Sequence, residues 1–341
     1  MGLTKEKRNS LKLYLLRLID EKSSSIVSKA AKQFSISRQA VYRHLKQLIA
    51  SNIITSKGTG KTKAYQLKTS EQRLDLNIFP KMEESIIWTQ EVLPLMPELN
   101  KNVMDICSYG FTEMLNNVID HSESKNVQVF IRDNMLKVEI WVFDYGIGIF
   151  KKIQKYLNLS DPKHAILELA KGKFTTDPEK HTGEGIFFTS RIFDKFEIMS
   201  GKLYFSGHKN SDWLLESEKR DSSGTFIFME AHKDSKLTIK SVFDEYTSTE
   251  DDYGFSKTII PVKLLQYEGE ELLSRSQAKR LIVRFDRFKE VILDFDGVKI
   301  IGRAFADELF RVFHRQYPEI HLRCIRMNKD VEGTVKHGFS G

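Results

Sequence analysis

Three short patterns constrain what this chain can fold into: Phe111-Thr-Glu-Met-Leu-Asn-Asn-Val-Ile-Asp-His-Ser122, then Asp144-Tyr-Gly-Ile-Gly148, then Gly183-Glu-Gly185. Around the first, Ile106, Tyr109, Gly110, Met114 and Val118 recur at helical spacing, so a helix is expected over 102–121, after another over 81–93. Glu113 and Asn117 are four apart and share one face of that helix. The second pattern follows Val127-Gln-Val-Phe-Ile131 and Lys137-Val-Glu-Ile-Trp-Val-Phe143, both of which alternate like strands. Asp144 therefore falls at a strand end, where Gly146 and Gly148 let the backbone turn sharply and approach a ligand. The third pattern opens a further helix to about Phe193, and the free amides at its start favour an anion.

Charge divides the chain. Its net +7 conceals a residue 1–70 segment with 15 Lys plus Arg against 3 Asp plus Glu, whereas the remainder carries 38 against 43. A basic end on a near-neutral body points to a nucleic-acid-binding module. The 341 residues suffice for two or three domains, and 40% hydrophobic with 29% charged residues excludes wholesale disorder. No apolar run approaches the roughly 18 residues of a membrane span. The first residues, Met1 to Arg8, lead into an amphipathic pattern without a signal-peptide core, so a cytoplasmic chain with no membrane partner is expected. Cys107 and Cys324 lack metal-ligand spacing and read as two plain thiols.

Within the basic end, Leu11, Leu15, Leu18 and Ile19 mark a helix from about Lys5 to Asp20. Ser23-Ser-Ser-Ile26 can cap a second helix to about Phe34, and Ser37 a third from Arg38 to about Ser51, with Val41, Leu45, Leu48 and Ile49 inward. The third would turn Arg38, Gln39, Tyr42, Arg43 and Lys46 outward, a mixture of phosphate-binding cations and groups that read base edges. Ile53 to Leu67 alternates, turns at Gly58 and Gly60, and alternates again, with Lys57, Lys61 and Lys63 near the tip. Residues 5–68 resemble the winged helix-turn-helix family of bacterial regulators. That resemblance implies double-stranded DNA as a partner of a domain at 1–70; a winged helix used only for protein contact is the alternative.

The three opening patterns, in their order, resemble the GHKL or Bergerat-fold ATPases, which include gyrase B subunits, ninety-kilodalton chaperones, histidine kinases and anti-sigma-factor kinases. The resemblance implies a GHKL α/β sandwich over 78–232 with ATP and Mg²⁺ as cofactors. Asn117 would coordinate Mg²⁺ through its side-chain oxygen, and Glu113 would orient or deprotonate the attacking water. Asp144 would accept the adenine exocyclic amine, since a carboxylate only accepts and that amine only donates. Gly146 and Gly148 would shape the adenine end, Gly183 and Gly185 the phosphate end, and Thr225 in Gly224-Thr-Phe-Ile-Phe-Met229 would support Asp144. The segment between Ile149 and Thr182, with a helix at about 162–171, corresponds to the family's lid, where Lys173, Thr175, Thr176 and Thr182 are phosphate candidates. Ile186-Phe-Phe188 stands where many members carry a further glycine.

Residues 233–254 are polar and interrupted and suit a linker. Beyond it, strands at 257–262, 291–295 and 321–326 alternate with helices from Ser274 through Arg287 and at 304–317, implying a small α/β layer over 255–341. Ser274 to Arg280, Leu293-Asp-Phe-Asp-Gly-Val298 and Gly302 to Phe310 resemble a STAS-like domain of unknown function found joined to GHKL modules. True anti-anti-sigma STAS domains carry a phosphorylatable serine after the Leu-Asp-Phe strand; this chain has Ile301-Gly-Arg-Ala304 there. Ser274 and Ser276 read as capping residues.

The expected class is therefore an α+β, α/β multidomain protein: winged helix-turn-helix, GHKL sandwich, STAS-like domain. The expected function is an ATP-binding, slowly hydrolysing, DNA-binding regulator. The alternatives are an anti-sigma-type protein serine kinase and a nonenzymatic ATP-binding scaffold. The resemblance leaves open a protein partner at the STAS-like domain and a homodimer.

Overall fold

The computed structural model describes residues 4–60, 63–175, 182–207, 213–216, 222–247, 254–266 and 270–340, which fold as a mixed α+β chain. At the basic end, α1 (Lys5–Asp20), α2 (Ile26–Phe34) and α3 (Arg38–Ala50) precede a hairpin of β1 (Ile54–Lys57) and β2 (Ala64–Leu67). Thr4 caps α1 and Ser37 caps α3 with their hydroxyls, each accepting an orphan amide. Ser25, at the start of α2, makes no such bond. Leu11, Leu15, Leu16, Ile19, Ala30, Val41, Leu45, Leu48 and Ile54 form a separate small core. The hairpin is antiparallel, with Ile54 opposite Leu67 and Lys57 opposite Ala64.

The middle of the chain is a seven-stranded sheet in the order β3-β4-β5-β9-β6-β7-β8. Its strands are β3 (Ser70–Asn77), β4 (Asn126–Asp133), β5 (Lys137–Asp144), β6 (Lys195–Gly201), β7 (Leu203–Gly207), β8 (Trp213–Glu216) and β9 (Ser222–His232). Every pairing is antiparallel. Along β5 the side chains of Val138, Ile140, Val142 and Asp144 are buried, as the two-residue period of a strand demands. The helices are α4 (Glu84–Ile87), continued by a π-helical turn Trp88–Val92, then α5 (Lys101–His121), α6 (Ile149–Tyr156), α7 (His164–Lys171) and α8 (Gly185–Ile192). Residues 71–77 fall between the two segments expected from sequence, yet they form β3 and pair along its whole length with β4. The helix expected over 81–93 starts only at Glu84.

The expected linker is corrected. Within 233–254, α9 (Ile239–Glu245) is folded, capped reciprocally by Thr238 and Ser241, with Val242 and Tyr246 buried. Its Phe243 stacks on Phe188 at 3.9 Å between ring centroids, so α9 belongs to the core.

Three parallel strands complete the chain: β10 (Lys257–Pro261), β11 (Glu290–Asp294) and β12 (His321–Ile325), in that order. With them are α10 (Arg275–Ile282), α11 (Arg303–Ala306), a π-helical stretch Asp307–Phe313, α12 (His314–Gln316) and α13 (Lys329–Ser340). Ser274 and Gln277 form a capping box at α10, as the sequence suggests. The apolar interior of these strands is continuous with that of the seven-stranded sheet.

Candidate functional site

Helix α5 spans 21 residues and buries Val103, Ile106, Cys107, Phe111, Met114, Leu115 and Val118. That burial fixes its rotation and turns Glu113 and Asn117 into a cavity of about 330 Å³. Strand β5 brings Asp144 to the same cavity, and Phe143 pairs with Phe226, which sets Thr225 beside it. The start of α8 contributes Gly183, Glu184 and Gly185.

Asp144 is only 3% exposed. Burial raises its carboxyl above the ordinary range, opposed by the Gly146 amide, which donates to Oδ1 at 2.8 Å, and by the amide and hydroxyl of Thr225. Thr225 Oγ1 also accepts the Ile149 amide at 3.0 Å, so one hydroxyl ties the acidic group to the first residue of α6. A side chain at Gly224, where φ is +87°, would lie 1.9 Å from the Asp144 carbonyl; only glycine permits this approach. At the other end, a β-carbon on Gly185 would lie 2.0 Å from Glu113 Oε2. The Glu113 carboxylate thus lies against the first residue of α8, bringing two of the sequence patterns into contact. Glu184 is half-buried, and burial raises its carboxyl, opposed by the charge of Lys173 and a hydrogen bond from Thr182.

Of the residues expected at a nucleotide, Glu113, Asn117, Asp144, Gly148, Thr182, Gly183, Gly185 and Thr225 line this one cavity. Gly146 does not; it packs against the Ser122 carbonyl within the turn. Lys173 does not either, because its ammonium donates to the Arg287 carbonyl at 2.9 Å and lies over the rings of Phe255 and Phe288. Thr175 lines the cavity, and Thr176 lies outside the described residues. Sequence reasoning missed Lys152, Leu169, Phe174 and Phe187 in the lining. Lys152 was within reach, since Ile149, Phe150 and Ile153 mark its helix; its ammonium donates to the His121 carbonyl at 2.6 Å.

On the basic module, Arg38, Gln39, Tyr42, Arg43 and Lys46 are exposed along α3, and Lys57 and Lys63 on the hairpin. Lys61 lies outside the described residues. Tyr42 and Lys63 also edge a cleft of about 850 Å³ whose far wall holds Arg132, Lys137 and Glu139 of the sheet. Among the described residues, no group of three or more His, Cys, Asp or Glu is arranged to hold a metal ion, and no helix is long and apolar enough to cross a membrane. Cys107 and Cys324 are free thiols, each pushed up to about 12 by burial.

Residues 277–332 match a family described as STAS-like domain of unknown function (DUF4325). The carboxyl part of the chain therefore contains a STAS-like domain. No curated protein matches the chain.

Proposed function

We propose that the cavity is a GHKL-type Mg-ATP site and that the chain is an ATP-binding, slowly hydrolysing regulator that reads DNA through a winged helix-turn-helix. One observation carries the reading: a buried acceptor with its threonine, an acid and amide on one helix, and a glycine-bounded helix start line a single cavity. Its volume lies within the roughly 300–1,000 Å³ of ligand sites.

Asp144, ionised, accepts the adenine amine, and Thr225 keeps that carboxylate turned toward it. Asn117 would hold Mg²⁺ together with phosphate oxygens, and the ion would neutralise phosphate charge. The start of α8 offers amides to the phosphates. Glu113, against Gly185, would accept a proton from the attacking water. The exposed cations of α3 and the hairpin supply phosphate contacts on DNA, with Gln39 and Arg43 facing base edges.

Glu113→Gln tests the chemistry. Turnover of ATP should fall at least about a hundredfold, as expected for a lost general base, with nucleotide affinity retained. Unchanged turnover would show that Glu113 is not the group that handles water.

A further inference from the structure

Helix α7 is buried from Ala165 through Lys171, Glu168 and Lys171 included. A helix buried all round is covered on more than one side. One side gives Leu169 to the proposed ATP cavity, while another packs on β10. The seam carries charge. Lys171 Nζ donates to Glu168 Oε1 at 2.6 Å and to the Val283 carbonyl at 2.9 Å. Arg284 donates to Glu168 Oε2 at 2.8 Å and, with its other arm, to the Gly172 carbonyl at 2.5 Å. The same guanidinium sits 5.2 Å from the ring centroid of Phe174, a cavity-lining residue. Lys173 and Arg287 each donate to the other's carbonyl at 2.9 Å. Phe187, also in the lining, packs on Phe255 at 4.5 Å between centroids.

Phe255, Val283, Arg284 and Arg287 therefore stand behind Phe174, Phe187 and the helix that presents Leu169. Arg284 itself has φ of +67°, a backbone that a side-chain-bearing residue adopts only when its surroundings impose it. A forked guanidinium is the one side chain able to grip a carboxylate and a carbonyl while lying over a ring.

We infer that the C-terminal module backs one wall of the ATP cavity, with Arg284 as its positioning residue, holding Glu168, Gly172 and Phe174 in a single grip. The inference rests on the ATP reading of the cavity. It makes nucleotide affinity a property of the C-terminal module as well as of the sheet, and gives that module a role without a phosphorylatable serine.

The test is ATP affinity by calorimetry on the full chain, with thermal unfolding of each variant. Arg284→Lys keeps a cation at Glu168 and loses the second arm, so ATP should bind about tenfold more weakly at a temperature where the variant is folded. Arg287→Ala removes an exposed contact to the Lys173 carbonyl and should weaken ATP by about threefold, as for one modest hydrogen bond, with native unfolding. A merely structural Arg284 would lower the melting temperature and leave affinity unchanged. Wild-type affinity in both variants overturns the inference and leaves the ATP site standing; if Arg284→Lys does not fold, the Arg287→Ala affinity decides alone. A wild-type chain that binds no ATP refutes the site reading, and this inference with it.

Discussion

Asp144 meets two opposed requirements. It is buried, which favours its neutral form, whereas the proposed adenine contact calls for the ionised form. Because its folded pKa lies above the ordinary carboxylate value, the folded state holds the proton more tightly, and folding loses stability as pH rises between those two values. ATP affinity should move the other way, weakening as pH falls through the raised pKa, and this slope should vanish in Asp144→Asn; titrations across the acid range would show both. Thr225→Val removes the acceptor of the Ile149 amide and a donor to Asp144. It should cost about 1–3 kcal/mol in chemical denaturation and weaken ATP as well. Glu113, Asn117 and Asp144 were legible because each sits in a local pattern whose periodicity dictates its direction, whereas Thr225 was marked only by the family resemblance. Lys173 was not legible, since a carbonyl and two rings far along the chain, at Arg287, Phe255 and Phe288, decide where its ammonium goes.

Elements were legible where their period is long. Helices α1, α3 and α5 and strands β4 and β5 carry several turns or alternations each, and the structure has them close to the expected bounds. Two elements escaped for want of a pattern. Strand β3 offers only Leu74 and Leu76 among charged neighbours, and α9 has 7 residues inside a polar stretch, so neither pattern stands out before the core is known. Helix α7 looks amphipathic only until its second cover is recognised, when Glu168 and Lys171 become interior charges. Glu168→Ala would leave Lys171 and Arg284 buried without their anion, and should cost about 3–5 kcal/mol in a denaturation experiment, far more than loss of an exposed pair. A cost below about 1 kcal/mol, the range of surface pairs, would mean the seam is solvated.

Across the whole molecule, the two flanking modules meet the sheet differently. The basic module docks at the Lys137 end of β5, where Lys137 pairs with Asp20 at 3.2 Å and Arg17 with Asp234 at 2.8 Å. Asp144 is at the other end of that strand, about 23 Å away at the usual rise per residue. Lys137 also bonds Glu230, whose carboxyl burial would raise but whose hydrogen bonds from His232 and Lys137 hold at about 2. His232 is raised chiefly by its bond to Glu230. Its contribution to stability is thus fully present below the unfolded histidine pKa and is lost as pH rises through the higher folded value. Thermal melts of wild type and His232→Gln should converge as pH rises past that window. If α3 meets phosphates, Arg38→Ala and Lys46→Ala should each weaken duplex DNA and lower the salt slope by about 1, whichever sequence is bound.

These scales meet at the cavity. A calorimetric titration of Mg-ATP into the full chain, repeated with Asp144→Asn, tests the account most directly. It predicts one saturable site in the wild type, and an affinity at least about tenfold lower in a variant that remains folded, because the adenine amine loses its charged acceptor. No binding by the folded wild type, or equal binding by both, would contradict it.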